Sequence, residues 1–181
     1  MNFKYPRKQG LYDPQFEHDG CGVGFVVNIK NKKSYSVIKD GLDLLCNLNH
    51  RGALGADPNS GDGSGMMIQI PHQFFLEECL KEGFYLPDEG EYGIASIFLP
   101  KNPSARRHCG EVIESHIVEK GMDILGWRDV PRDLNFVGKH ALSSMPEMRH
   151  LFMGYRRIEN YDQEKFERKL YITRKAIRTS L

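Results

Sequence analysis

A cysteine set between glycines and followed by an apolar run constrains this chain more than any other feature. Residues 18–27 read HDGCGVGFVV, so Cys21 has a glycine on each side. Glycine lets backbone or substrate approach closely, and the valine and phenylalanine residues that follow are typical of strands. The run predicts a strand over residues 21–29 with the Cys21 thiol in open space at its leading end, as a nucleophile requires. Because free cysteines are commonly buried, a packing role is the alternative.

Composition and charge exclude several classes of protein. The chain has 181 residues, of which 40% are hydrophobic and 27% are charged, as in an ordinary globular domain with a core. A net charge of +1 gives no overall field that favours nucleic acid or an anionic membrane. No apolar run approaches the roughly 20 residues of a membrane span, and the polar first ten residues are not a secretory signal. We expect a cytoplasmic protein with neither nucleic acid nor membrane as a partner.

The cysteine spacing argues against a metal site. The four cysteines lie at positions 21, 46, 79 and 109, and no CxxC pair occurs. A zinc or iron–sulfur site built from this chain alone is therefore not expected, and free thiols are. Cys46 and Cys79 fall among apolar residues of predicted helices, which predicts that both belong to the core.

Periodicity and turn residues predict a mixed chain of strands and helices. Residues 1–20 show no period and are punctuated by proline and glycine. Later helices carry apolar residues at helical spacing, and the basic last helix is predicted to have a solvated face. The order predicts an α+β fold rather than a regular parallel one. The predicted strands cover 21–29, 34–37, 66–70, 92–99, 122–130 and 151–155, and the predicted helices cover 38–49, 72–83, 104–119 and 161–178.

An unusual glycine-rich loop follows the first predicted helix. Residues 50–65 read HRGALGADPNSGDGSG, which fits neither an ordinary helix nor a strand. A phosphate-binding loop would end in GK[ST], and an EF-type calcium loop starting at Asp57 would need an acidic residue where Ile68 stands. A loop that shapes a small polar pocket with Arg51 and Asp62 is the functional interpretation. An Arg–Asp pair that only holds the loop together is the alternative.

Several motifs in order then resemble one family. The chain carries DGCGVGF at 19–25, NHRGA at 49–53, GADP at 55–58, GDGSG at 61–65, QIPH at 69–72 and GWRDVP at 126–131. This set, from about residue 11 to the end, resembles the N-terminal class II glutamine amidotransferase domain of the glutamate synthase large subunit. The resemblance implies an Ntn-hydrolase fold, a four-layer α/β/β/α sandwich, of which this chain is the N-terminal portion.

The same resemblance implies a reaction and a nucleophile. Glutamine would be hydrolysed to glutamate and ammonia for glutamate biosynthesis, with Cys21 as the first residue after residues 1–20 are removed as a leader. The chemistry agrees, because a thiol with a pKa of about 8.5 needs a base and a freed α-amino group titrates near 7.7–8.0. Arg51 is implied to be a site-adjacent residue that supports the nucleophile's surroundings, and Asp62 is a weaker site-adjacent candidate. Residues 21–181 would form the first part of the amidotransferase domain.

Some motifs of the family are not in this sequence. Its Asn-Gly oxyanion pair and the residues that bind the α-carboxylate and α-amino groups of glutamine are expected downstream of residue 181. We therefore expect a fragment that is inactive alone, whose partners are L-glutamine, the remaining glutamate synthase domains and a small subunit in some forms. FMN and an iron–sulfur cluster are expected in the full-length enzyme and no cofactor in this segment. The alternatives are a non-catalytic interaction piece and another hydrolase of the same nucleophile class, such as an amidase or acylase.

Overall fold

The computed structural model describes residues 8, 10, 22–52, 59–155 and 162–181. Its contacts divide the chain into two compact units, Met1–Ile68 and Gln69–Leu181. The elements, in chain order, are α1 (Tyr35–Asn47), a 3-10 helix (Asn49–Arg51), α2 (His72–Lys81), β1 (Tyr92–Leu99), α3 (Pro103–Glu119), β2 (Met122–Asp129), α4 (Lys139–Ser144), β3 (Glu147–Tyr155) and α5 (Gln163–Ser180).

The first unit is built around α1. Asn28 closes a polar turn, because its side-chain oxygen accepts from Lys30 N at 2.9 Å and its carbonyl accepts from Asn31 N at 2.9 Å. The strand predicted over 34–37 is wrong, because Ser34 takes the extended backbone of an N-cap and α1 begins at the next residue. The helix predicted over 38–49 therefore begins three residues earlier, at Tyr35.

Two further strand predictions in or next to this unit do not match the structure. Residues 22–29 and 66–70 have no strand conformation, although both are rich in the residue types that strands prefer. Such residues form a strand only where a neighbouring edge supplies hydrogen bonds. Cys46 was predicted to be a core residue, and this is wrong because it is exposed on α1. No residue of α1 is fully buried.

The second unit is organised around a three-stranded antiparallel sheet with the order β1-β3-β2. Leu151 and Met153 point to one face of β3, where they pack with residues of α3 and α5. Phe152 points to the opposite face and packs against Phe75 and Cys79 of α2. The unit therefore has helices on both faces of one sheet, and the buried Cys79 confirms its prediction.

Helix ends in this unit follow the capping signals of the sequence. Asn102 caps α3 by accepting from Ala105 N at 3.0 Å, with Pro103 as the first helical residue. Gly121 follows the helix with a φ of +72°, a left-handed conformation that glycine adopts without strain. Asp162 likewise caps α5 by accepting from Lys165 N at 3.2 Å.

The described residues bear out an α+β chain. They contain one three-stranded sheet, whereas a four-layer sandwich needs two stacked sheets. No helix in the described part of the chain is both long and apolar enough to cross a lipid bilayer. In that same part, no group of three or more His, Cys, Asp or Glu side chains is placed to hold a metal ion.

Candidate functional site

The predicted nucleophile, Cys21, lies outside the described residues, so its role stays a prediction. The segment bonded to it, starting at Gly22, is described and belongs to the same unit as α1. The candidate site is therefore described from the residues that surround Gly22 and the segment after it.

Gly22 and Gly24 pack directly on α1. A Cβ added at Gly22 would lie 2.9 Å from Leu48 Cδ2, and one added at Gly24 would lie 2.6 Å from Leu44 Cδ1. Real Cβ atoms essentially never come closer than 3.0 Å, so any larger residue would have to move the segment or the leucines. Because Gly22 meets Leu48, the C-cap of α1, and Gly24 meets Leu44, the segment runs antiparallel to the C-terminal end of α1.

Arg51 lies beside the same segment. The Arg51 backbone N–H donates to Leu48 O at 2.8 Å, which turns the end of α1 into the 3-10 helix that Arg51 completes. A Cβ at Gly22 would lie 3.4 Å from Arg51 Cγ, an ordinary van der Waals contact with the aliphatic stem. Arg51 therefore lies in the 3-10 helix that follows α1. The structure thus brings Arg51 next to the residue that follows Cys21.

Asp62 lies in the irregular segment 59–65 and is exposed. Residues 53–58, which precede this segment in the glycine-rich loop, lie outside the described residues. The loop character predicted for 50–65 holds for residues 59–65, whereas His50 and Arg51 belong to the 3-10 helix. The role of Asp62 as a pocket residue or as a partner of Arg51 stays a prediction.

Sequence reasoning missed the two leucines that Gly22 and Gly24 contact. The spacing of the glycines could have indicated this contact. Two residues of an extended segment span about the same distance as one helical turn. Leu44 lies in the last turn of α1, and its C-cap Leu48 follows one turn later. What could not be read from the sequence is that the extended segment lies on this helix rather than in a sheet.

A second polar cluster lies in the other unit, on the face of the sheet that α2 covers. Arg128 Nη2 donates to Glu78 Oε2 at 2.6 Å, and His150 lies opposite Arg128 in the strand register. Hydrogen bonds from Lys81 and then Arg128 hold the pKa of Glu78 below its usual range. Burial, and then the nearby Arg128, lower the pKa of His150. Burial raises the pKa of the Cys79 thiol to about 11, which makes it a poor nucleophile.

Trp127 lies on the opposite face of the sheet and is half-buried. Its indole N–H donates to Glu114 Oε1 at 2.6 Å, and the Arg149 guanidinium lies 5.1 Å from the ring centroid. Trp127 and these two side chains line an open cleft of about 450 Å³, which also includes Arg106 and Arg107. Trp127 therefore forms a wall of this cleft and also packs against the core on the same face of the sheet.

Taken together, the described geometry offers one arrangement suited to nucleophilic chemistry. The segment that follows Cys21 packs on the C-terminal end of α1, and the side chain of Arg51 lies beside it. A positive charge near a thiol favours the thiolate, which is the reactive form. At Cys79 burial outweighs the nearby positive charge of Arg128 and raises the pKa of the thiol, and Cys46 is exposed on α1.

Comparison with known proteins agrees with this assignment of the chain. The sequence is similar to the glutamate synthase [NADPH] large chain of Bacillus subtilis, with 41% identity over 170 residues that cover 94% of this chain and 11% of that protein. It is 39% identical to the glutamate synthase [NADH] of Schizosaccharomyces pombe, over 94% of this chain and 8% of that protein. It is 38% identical to the chloroplastic ferredoxin-dependent glutamate synthase of Oryza sativa, over 89% of this chain and 10% of that protein.

The chain thus spans about a tenth of the length of these relatives. The profile of the class-II glutamine amidotransferases matches residues 21–181, so the matched segment starts at the predicted nucleophile. It includes Arg51 and all the elements described above. By this match, the chain belongs to the family of class-II glutamine amidotransferases.

Proposed function

We propose that this chain is the glutamine amidotransferase portion of a glutamate synthase large subunit and that Cys21 hydrolyses L-glutamine through a thioester. The single observation that carries this proposal is the match of the class-II profile from Cys21 onward, to relatives that are glutamate synthases. The packing of Gly22 against Leu48 and Arg51 supports it, because it lays the neighbouring segment along a helix end.

The proposed reaction begins with a proton transfer. Residues 1–20 are removed as a leader, and the freed α-amino group of Cys21 takes the thiol proton, since an amide nitrogen is not a base. The thiolate attacks the side-chain amide carbon of glutamine, and the resulting intermediate collapses with cleavage of the C–N bond. Ammonia leaves with the proton that the α-amino group returns, and a thioester remains. Water then attacks the thioester carbon, which releases glutamate and restores the thiol.

The positive charge of Arg51 has a defined task in this scheme. Its guanidinium is a cation. Near the thiol it raises the thiolate fraction at neutral pH and leaves proton removal to the α-amino group. Asp62 is proposed as a second polar residue of the same pocket.

The cofactors expected of a whole glutamate synthase are proposed to bind other segments of the protein. The described residues provide no cluster of ligands for an iron–sulfur centre, and none for another metal ion. No step of the proposed glutaminase reaction is routed through such a group. The ammonia is proposed to be used by the remaining domains, which the relatives' greater length leaves room for.

We also propose that residues 22–29 and 66–70 contribute to the second sheet of a four-layer sandwich. Every second residue of the first segment is a large apolar side chain, and all four are exposed: Val23, Phe25, Val27 and Ile29. This alternation is typical of a strand with one buried face. Hydrogen exchange of the whole gene product tests the idea. We expect protected amides in 22–29, and fast exchange throughout would contradict it.

Trapping of the nucleophile tests the proposed function. The protein as its gene encodes it is incubated with a chloroketone analogue of glutamine, and labelled peptides are identified by mass spectrometry. We expect saturable labelling at Cys21 in chains that begin at Cys21, protection by L-glutamine, and no labelling in Cys21→Ser. Cys46→Ser is the matched control, because Cys46 is exposed in the same unit. Labelling that glutamine does not protect, or active protein that retains residues 1–20, would overturn the mechanism.

A further inference from the structure

We propose that the open cleft beside Trp127 binds an acidic α-amino acid, with L-glutamate as the probe. The cleft lies between α3 and the strands of the second unit, and its volume is about 450 Å³. Small-molecule sites in proteins have volumes of roughly 300–1,000 Å³. The inference goes beyond the proposed function, because neither Cys21 nor Arg51 takes part in this binding.

Gly110 lines this cleft from the interior of α3. Glycine is less favourable than alanine inside a helix, and it is usually found there where a neighbouring group comes too close for a side chain. No such group is present here, because a Cβ added at Gly110 would meet nothing within 4 Å. The missing side chain instead leaves the cleft open, and this open space is available to a ligand.

The charged groups that line the cleft indicate the chemistry of the ligand. Three guanidinium groups and two carboxylates give the lining a net charge of +1, and on α3 both cations precede both anions. An acidic α-amino acid at neutral pH carries two carboxylates and one ammonium group, so its net charge is −1. The ligand therefore complements the lining in net charge and in carrying both signs. The charged lining residues are Arg106, Arg107, Glu111, Glu114 and Arg149.

Arg107 and Glu111 are suited to the two groups on the α-carbon of the ligand. They lie four residues apart on α3, a spacing that places Cβ atoms on one helix face about 5–6 Å apart. Neither side chain makes an ion pair or a hydrogen bond to another described residue. An α-carboxylate bound by Arg107 places the α-ammonium next to Glu111, because both groups are attached to the same carbon.

Arg149 offers a second guanidinium from the sheet. Its Nε donates to Asp129 Oδ1 at 2.6 Å, and its guanidinium carbon lies 5.1 Å from the ring centroid of Trp127. Its two terminal nitrogens remain as donors for the side-chain carboxylate of the ligand. On the other side of the cleft, the Trp127 N–H holds Glu114 Oε1 at 2.6 Å. Trp127 is thus coupled to both an anion and a cation of the lining.

Tryptophan fluorescence tests the binding directly, because Trp127 is the only tryptophan among the 181 residues. The full chain is titrated with L-glutamate and, separately, with glutarate, which has both carboxylates but no ammonium group. We expect a saturable change in emission with L-glutamate. Glutarate should bind at least about tenfold more weakly, because it lacks the charged hydrogen bond to Glu111. L-Glutamate should also raise the midpoint of thermal unfolding, since it binds the folded chain.

Three variants assign the binding to the cleft. Arg107→Gln should weaken the binding of L-glutamate at least about tenfold, and Glu111→Gln should remove most of the preference over glutarate. Gly110→Leu should abolish binding without lowering the unfolding midpoint of the free chain, because the new side chain enters open space. Arg168→Gln is the matched control, since Arg168 is exposed on α5 and its loss changes the net charge equally. It should bind L-glutamate as the unmodified chain does.

Each contrary result contradicts a defined part of the inference. No change in emission or in unfolding midpoint with up to about 10 mM L-glutamate would overturn it, because even a weak site would be filled. Equal binding by Arg107→Gln and Arg168→Gln would overturn the assignment to this cleft. Glutarate binding as tight as that of L-glutamate would overturn the amino-acid assignment. Absence of saturable labelling at Cys21 would instead remove the proposed function and leave this binding unchanged.

Discussion

The guanidinium of Arg128 on β2 donates a 2.6 Å hydrogen bond to the carboxylate of Glu78 on α2 and so ties the helix to the sheet. Arg128 is 4% exposed, whereas the side chain of Glu78 is 24% exposed. The ring centroids of Phe74 and Phe75 lie 5.7 and 6.0 Å from the guanidinium carbon. Among the described residues, this buried cation is therefore matched by one partly exposed carboxylate and bordered by two aromatic rings.

Replacing this arginine should destabilise the second unit. Arg128→Ala removes the ion pair and the contacts that its stem makes with the aromatic rings, and we expect a loss of about 2–4 kcal/mol. The free energy of unfolding in urea measures it. Arg132→Ala is the matched control, because Arg132 pairs with Glu147 at 2.8 Å near the surface. That change should cost less than about 1 kcal/mol, and equal losses in the two variants would contradict the expectation.

The same ion pair should weaken in acid. The pKa of Glu78 is lowered by hydrogen bonds from Lys81 and Arg128, so the folded state binds this proton less readily than the unfolded state does. The stabilisation is present above the ordinary glutamate pKa and is lost as the pH falls through the lowered value. In Glu78→Gln, unfolding followed between pH 6 and pH 3 should show a shallower loss of stability. An unchanged slope would rule out this contribution.

His150 should make the second unit less stable at mildly acidic pH. Its ring lies edge-on to Phe75 and Phe152, Nδ1 has no hydrogen-bond partner among the described residues, and burial lowers its pKa. The unfolded state therefore takes up a proton first, and stability falls as the pH drops below about 6.5. His150→Phe should flatten the loss of stability between pH 7.5 and pH 5.5. The exposed His108→Gln should leave that loss unchanged.

The cysteines should differ sharply in reactivity. With a pKa of about 11, Cys79 is roughly one part in a thousand thiolate at pH 8 and is also buried. The exposed Cys46 should be alkylated by iodoacetamide at least 100-fold faster in the folded chain. Peptide mass spectrometry over a time course measures both rates. In concentrated urea the two rates should converge, and early labelling of Cys79 in the folded chain would contradict the burial.

Two glycines of the second unit should respond oppositely to alanine. Gly110 lies inside α3 and an added Cβ would meet nothing within 4 Å, so Gly110→Ala should stabilise by about 0.5–1 kcal/mol. Gly126 lies on β2 under the Phe84 ring, with an added Cβ 2.5 Å from Phe84 Cδ1. Gly126→Ala should destabilise by about 1–3 kcal/mol, because the ring must move. Thermal unfolding of both variants checks the signs.

Local signals in the sequence were sufficient for α2, α3, α5, β1 and β2, whereas the short helix α4 was not predicted. The capping residues Asn102 and Gly121 fix the ends of α3 within a residue of the prediction. The start of β3 was missed by four residues because Glu147 and Arg149 look like loop residues. In the structure Arg149 lies opposite Asp129 and donates to it at 2.6 Å. Residues 147–150 form a strand because they pair with the neighbouring strand β2. The sequence of one segment does not show which strand it will pair with.

In the first unit the error was the opposite one, because strands were predicted where the structure has none. Residues 22–29 and 66–70 have strand-forming side chains, but pairing depends on a neighbouring edge, which local sequence cannot supply. The role of Cys21 stays a prediction, because that residue lies outside the described residues. The contact between Gly22 and Leu48 could not be predicted, because it joins residues 26 positions apart. Only the folded chain shows that arrangement.

Arg51 should control the reactivity of Cys21 through its charge rather than its stem. Its aliphatic part lies beside Gly22, so Arg51→Met keeps the packing and removes the cation. If the guanidinium favours the thiolate, the pH at which Cys21 labelling reaches half its maximal rate should rise by about one unit. At pH 7 the rate should then fall about tenfold. Arg51→Lys, which keeps a charge, should recover most of the rate. A normal pH profile in Arg51→Met with a defect in Arg51→Ala would assign the effect to packing instead.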